Sequence, residues 1–168
     1  SNPRVYSLNE FEKAEIKNNL TQLTFIDIVN WIKTHSDAYI ITDVKSYNLK
    51  SLESVFPEYE EVLENIILQV YSFEEYYYAR GLGYRNIILS LHKRNYDDEE
   101  VLEFVKDNDV LGVTMYYERG LTDLPLKLNK LGIHTMVYTV NNKKLVHELK
   151  NNSVDGFYTD YLKPENFS

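Results

Sequence analysis

The 168-residue sequence contains no cysteine. Disulfides and thiolate metal sites are therefore excluded, and any metal must sit on carboxylates, carbonyls, imidazoles or water. Lack of cysteine fits an extracytoplasmic protein and is also common in the cytosol. No apolar run is long enough to span a membrane, and there is no signal-peptide pattern. Positive charge is scarce: 18 Lys and Arg stand against 26 Asp and Glu, a net charge of -8. That balance argues against nucleic acid as the main partner, because a phosphate-binding surface needs clustered Lys and Arg. It leaves room for one local anion site. No glycine-rich phosphate fingerprint follows any strand-like run, so a dinucleotide-binding fold gains no support. Gly81-Leu82-Gly83 closes a helical pattern instead. An initiator Met is also absent. The chain opens Ser1-Asn2-Pro3, which reads as a processed or cut piece of something longer.

What is present suits one α/β domain with a real core, at 43% hydrophobic and 26% charged residues. The 15 tyrosines are many for this size. Tyr76-Tyr77-Tyr78 on a helix would face three directions, so not all of them can be core. Residues 1–20 have weak periodicity and read as a lead-in, with residues 21–168 as the domain. Thr24 and Asp27 form a capping-box pattern ahead of Phe25, Ile28, Val29 and Ile32, one apolar helical face.

The organising stretch is residues 38–45, Ala-Tyr-Ile-Ile-Thr-Asp-Val-Lys. Its apolar opening predicts a strand covered on both faces, as in a parallel sheet. Asp43 and Lys45 then leave one face at the carboxyl end, where α/β proteins keep their chemistry. Five more strands follow, at 66–70, 86–91, 110–114, 134–140 and 154–160. Helical patterns separate them at 49–64 (interrupted at Pro57), 73–82, 97–105, 119–131 and 142–149. Six strand–helix units with short loops predict a parallel sheet. Two closures satisfy the pattern: a six-stranded doubly wound sheet, or six-eighths of a (β/α)8 barrel.

In both closures ligands meet the carboxyl ends of the strands. Those ends carry Asp43 and Lys45; Gln69, Tyr71 and Ser72; Ser90 and His92; Thr114 and Met115; Tyr138, Thr139 and Asn141; and Thr159 and Asp160. The set suits a small anionic or polyhydroxy ligand near a hard cation. Several members have structural duties available as well, with Ser72 and Asn141 placed to cap helices. His35 and His147 fall on helix surfaces, and His134 begins its strand at the end away from the site.

At these residues the chain resembles the glycerophosphodiester phosphodiesterase family, whose fold is a (β/α)8 TIM-type barrel. Three segments carry the resemblance in order: Thr42-Asp43-Val44-Lys45; Gln69-Val70-Tyr71-Ser72-Phe73; and Tyr138-Thr139-Val140-Asn141 with Val154-Asp155-Gly156-Phe157-Tyr158-Thr159-Asp160. It spans about residues 20–165 and implies an incomplete barrel, equivalent to units three to eight. The resemblance implies a divalent cation, Ca or Mg, in the complete enzyme, although this chain need not hold one. Asp43 would be its ligand here. Lys45, Gln69, Tyr71, His92, Tyr138 and Asn141 would bind the phosphate and substrate, with Tyr138 in place of the usual Trp wall.

The family's first two strands bring His-Arg-Gly, a Glu-x-Asp pair and a His-Asp segment, none of which occurs in this chain. The catalytic set is thus incomplete, and the chain alone is expected to be inactive. The ligand class implied is a glycerophosphodiester or polyol phosphate. The domain is either the carboxyl-terminal part of a larger phosphodiesterase or a non-catalytic binding or oligomerisation module on the same scaffold. A flavodoxin-like regulatory domain ranks last, lacking an acidic cluster at its first strand. A barrel without two strands leaves open edges, so a homodimer, or pairing with a missing N-terminal segment, is expected.

Overall fold

Local capping chemistry sets the first elements. The hydroxyls of Ser7 and Thr24 accept from the N–H groups of Glu10 and Asp27, whose carboxylates accept back from Ser7 and Thr24 N–H. These caps open α1 (Leu8–Lys13) and α2 (Phe25–Ile32). The structure, a computed structural model, describes residues 7–15, 20–44, 48–163 and 165. It divides into two compact units, Ser1–Tyr39 and Ile40–Ser168. In the first, Val29 and Ile32 are the buried positions of α2, and Trp31 stacks on His35 with ring centroids 4.2 Å apart.

The second unit contains six parallel strands: β1 (Ile40–Ile41), β2 (Ile66–Val70), β3 (Ile87–Ser90), β4 (Gly112–Tyr116), β5 (His134–Tyr138) and β6 (Gly156–Phe157). Between them run α3 (Asn48–Lys50), α4 (Phe73–Gly81), α5 (Asp98–Asp107), α6 (Tyr117–Gly120), α7 (Leu124–Lys130) and α8 (Lys143–Asn151). Each strand pairs with its neighbours in chain order. A doubly wound sheet would reverse order at a switch point. This sheet does not, and it curls into part of a barrel with alternating helices, an incomplete TIM-type barrel.

Side-chain alternation explains the curl's two faces. Leu68, Val70, Ile87, Leu89, Val113, Met115 and Val137 face outward and are buried. Helices cover them, with α4 on β2 and β3, and α6 and α7 on β5. Each such side chain contributes roughly 1.5–3 kcal/mol of hydrophobic stabilisation. The other face lines the lumen. Near its base, Met136 occupies space that two glycines leave free. A Cβ on Gly156 would lie 2.8 Å from Met136 Cγ, and one on Gly112 would lie 2.9 Å from the His134 carbonyl oxygen.

Several elements differ from the sequence expectations. β1 has only two residues, and it is not covered on both faces: Tyr39 is 61% exposed and Ile41 38%. The reason is position. Among the described residues β1 pairs with β2 alone, and Ile41 faces open space. The helical run after α3 passes through a π-helical turn (Ser51–Val55) and a 3-10 stretch (Phe56–Asn65) without stopping at Pro57. Pro57 is second in that stretch, where a missing N–H costs nothing, and the break falls at Tyr59 instead (φ -123°, ψ 50°). The pattern over 119–131 resolves into α6 and α7, with Pro125 in the first turn of α7. Leu82 and Leu131 are exposed because they cap the C-termini of α4 and α7. Tyr76 is buried while Tyr77 and Tyr78 are exposed, as the three-way split requires.

Candidate ligand site

The carboxyl ends of the strands enclose a cavity of about 270 Å³. β1 delivers Ile41 and, just beyond it on the same side, Asp43. β2 delivers Gln69 and, past its end, Tyr71. Gln69 Nε2 donates to Asp43 Oδ1 at 3.2 Å and to the Tyr71 hydroxyl oxygen at 3.2 Å, and the Tyr71 hydroxyl donates to the same Asp43 oxygen. Glu75 supports this corner from α4. It accepts from Tyr71 N–H at 2.8 Å and from Asn48 Nδ2 at 3.2 Å. Ser72 caps α4 by accepting from Glu75 N–H.

The opposite wall is aromatic. β3 contributes Ser90 and, two residues later, His92. β4 ends in Tyr116, β5 in Tyr138 followed by Thr139, and Tyr158 follows β6. His92 Nδ1 lies 2.8 Å from the Tyr116 hydroxyl. Tyr116 and Tyr138 are opposite one another in the β4–β5 register, with ring centroids 4.8 Å apart, and Tyr158 stands 6.2 Å beyond Tyr138.

Burial governs the electrostatics. It pushes the Tyr138 phenol up to about 12. It raises Tyr158 as well, and it carries Tyr71 far above the ordinary tyrosine range with help from the Asp43 bond. The Asp43 charge contributes to all three shifts. These phenols are therefore neutral donors at ordinary pH. The hydroxyls of Tyr138, Tyr158 and Thr114 are buried with no hydrogen-bond partner among the described residues.

Of the residues expected at the site, the structure brings together Asp43, Gln69, Tyr71, His92 and Tyr138, along with Ser90 and Thr139. Lys45 lies outside the described residues. Asn141 does not line the cavity. Its Oδ1 accepts from Asp160 N–H and the Thr159 hydroxyl, and its Nδ2 donates to Asp160 Oδ2, so it ties the end of β5 to the segment after β6. Met115 faces outward into the core. Ile41, Tyr116 and Tyr158 were not anticipated. The signal for Tyr116 was available in period-two alternation from Thr114, but the strand was expected to end at Thr114. For Tyr158 the same alternation runs from Gly156, in a strand expected to continue to Asp160.

The donor set tests the fit of a divalent cation. Among the described residues no three His, Asp or Glu side chains converge on a common point. Among the described residues Asp43 is the one carboxylate lining the cavity, and one of its oxygens already accepts from Tyr71 and Gln69. Ca takes roughly 6–8 oxygen ligands and Mg demands an octahedron. The described residues do not by themselves make such a site.

Comparison with known proteins agrees with this geometry. No curated protein matches the chain. A glycerophosphodiester phosphodiesterase from Parabacteroides distasonis ATCC 8503 superposes with a TM-score of 0.70 at 16% identity, covering 92% of this chain and 66% of that one. A proposed glycerophosphoryl diester phosphodiesterase from Silicibacter pomeroyi DSS-3 superposes with a TM-score of 0.62 at 13% identity, covering 84% of this chain and 53% of that one. The chain thus spans less than two thirds of either structure's length, and at these identities the likeness carries the fold. The model of the Glycerophosphoryl diester phosphodiesterase family matches residues 63–163, more than half of the sequence. The chain belongs to the glycerophosphoryl diester phosphodiesterase family.

Proposed function

We propose that this chain is the carboxyl-terminal part of a barrel that, when complete, hydrolyses glycerophosphodiesters to glycerol phosphate and an alcohol. By itself it binds such a ligand without turning it over. The observation that carries this reading is the convergence of Asp43, Gln69, Tyr71, His92 and Tyr138 on one cavity at the carboxyl ends of the strands, in a chain of this family. Hydrolysis breaks one P–O bond and gives the phosphorus a water oxygen. It needs a base to take the water's proton and an acid to protonate the leaving alcohol, and each contributes typically 10²–10⁴-fold. Among the described residues lining the cavity, His92 is the one imidazole, and the one carboxylate is already engaged by Tyr71 and Gln69. That is half a catalytic pair.

In the complete protein, further carboxylates would join Asp43 around a Ca or Mg ion, whose role when bound is to offset phosphate charge. Lys45 would meet the phosphate, as the family resemblance implies. Gln69 and Tyr71 hold Asp43 in place, and the tyrosine wall excludes water from the ligand. Residues 1–20 serve as a lead-in and 21–168 as the partial barrel. A second reading, a non-catalytic binding or assembly module, is favoured by the two-residue end strands β1 and β6, each paired on one side among the described residues. The deciding experiment measures glycerol phosphate binding and glycerophosphodiester hydrolysis by the purified chain, with Ca or Mg against chelator. Binding that weakens in Lys45→Ala, with no turnover, supports the reading. Metal-dependent turnover overturns the proposed inactivity and makes His92 the first residue to substitute.

A further inference from the structure

A second pocket, of about 270 Å³, lies beside the first, where the loop after β3 faces α6. Its apolar part is Leu91 and Met115, both buried. Met115 faces away from the lumen, and Leu91 continues the outward phase of Leu89, so this space opens on the helix side of the barrel wall. His92 and Tyr116 line both pockets and are joined at 2.8 Å, which makes them the partition.

The loop after β3 divides its charges. Lys93 turns to the Tyr71 ring, with Nζ 4.0 Å from its centroid, while Arg94 and Asn95 line the second pocket. Arg119 enters the same lining from α6, but its charge is met. Its Nε and Nη2 donate to Asp98 Oδ1 at 3.1 and 2.7 Å, and Nη2 donates to the Tyr96 carbonyl at 2.9 Å. Arg94 is exposed and makes no hydrogen bond or ion pair among the described residues. The acid that feels it is Glu74, whose carboxyl is held low first by its Ser72 hydrogen bond and also by Arg94. Glu74 is exposed, so solvent and salt screen that attraction. The pocket therefore presents one uncompensated guanidinium and one side-chain amide beside an apolar floor.

We infer that this pocket is a second ligand site, one that takes a small carboxylate carried on an apolar body, such as an aromatic or short aliphatic acid. The site lies outside the diester cavity and does not depend on the diester reading. The guanidinium fork of Arg94 matches the two oxygens of a carboxylate. Asn95 supplies further N–H donors, and Leu91 and Met115 cover the rest of the molecule. Charge sets the class. One uncompensated cation balances one negative charge, whereas a phosphate dianion would bring a second charge up to Asp98.

The test uses the whole chain and needs no turnover. Benzoate, its uncharged analogue benzamide and inorganic phosphate are titrated separately by calorimetry and by amide NMR. Benzoate is expected to bind about tenfold more tightly than benzamide, as a charge-assisted pair should. Arg94→Gln should erase that preference. Arg94 is exposed and unbonded, so the change leaves the fold alone. Lys45→Ala should leave benzoate affinity unchanged, and the amides of Arg94, Asn95 and Arg119 should shift while those of Gln69 and Thr139 stay still. Equal affinity for benzoate and benzamide, no benzoate binding, or binding that survives Arg94→Gln overturns the inference. Tighter, Arg94-dependent binding of phosphate than of benzoate overturns the carboxylate assignment. None of these results touches glycerol phosphate binding in the first cavity, so the diester reading stands or falls separately.

Discussion

Tyr84 and Tyr138 carry phenols that burial pushes up to about 12, against 10.0 for the free side chain. As pH rises past 10, the unfolded chain gives up these protons first. It then holds fewer protons than the folded chain, so stability falls with rising pH. The contribution is fully present below pH 10, declines between about 10 and 12, and levels off above. Urea midpoints measured from pH 8 upward should show that decline, and Tyr84→Phe should make it shallower. Tyr84 donates to the Leu52 carbonyl at 2.9 Å, so the variant also starts from a lower stability. The cavity tyrosines separate by partnership. Tyr71→Phe removes a donor to a carboxylate and should cost about 1.5–3 kcal/mol. Tyr158→Phe deletes a buried hydroxyl that has no partner among the described residues, and should be neutral or stabilising by about 1 kcal/mol. Opposite signs in the two variants under one denaturant series would confirm the assignment; equal losses would refute it.

At the scale of elements, close approach is the sharper constraint. A Cβ on Gly120 would lie 2.6 Å from Val137 Cγ1 and 2.9 Å from Leu149 Cδ2, where α6 meets β5 and α8. Gly120→Ala should therefore destabilise by about 1–3 kcal/mol through overpacking, even though alanine favours helices. A chevron or equilibrium denaturation series reads this directly, with Gly81→Ala, which meets nothing within 4 Å and should be neutral to stabilising, as the control. Elements set by local signals were legible in the sequence. Ile66–Val70 is a strand at both predicted ends because its apolar run is bounded by polar residues on one side and a capping serine on the other. Thr24 and Ser72 cap the helices they were expected to cap, since a cap needs only three residues to recognise. Glu75 shows the limit. Its spacing from Ser72 suggests a capping box, yet its carboxylate accepts from Tyr71 N–H and Asn48, a duty created by α3 folding back alongside β2. Glu75→Ala should cost about 1–3 kcal/mol by leaving that buried N–H unpaired. It should also loosen Gln69 and Tyr71, visible as amide shifts around Asp43. The phases of β4 and β6 were harder to read than their existence. Their apolar runs overhang the paired residues, so the aromatics reaching the cavity depended on where curvature ends pairing.

At the scale of the whole molecule, the sheet has two ends. β1 and β6 are each two residues long and pair on one side only among the described residues. Short edge strands are a familiar defence against edge-to-edge pairing, but Ile41 at this edge is exposed and apolar. Self-association through the open side of the barrel is expected. Sedimentation at increasing concentration should show a dimer, weakened by Ile41→Lys. A single monomeric species across the range would count against it. The family match covers residues 63–163 and so begins after β1, which nonetheless pairs in the same sheet.

The distribution of fluorophores has a practical consequence. The single tryptophan, Trp31, belongs to the first compact unit, where it stacks on His35. All tyrosines except Tyr6 and Tyr39 belong to the second. Indole emission therefore reports on one unit and phenol emission chiefly on the other, giving each its own optical channel without a label. An unfolding transition followed in both channels will reveal whether the two units melt as one cooperative body or in sequence.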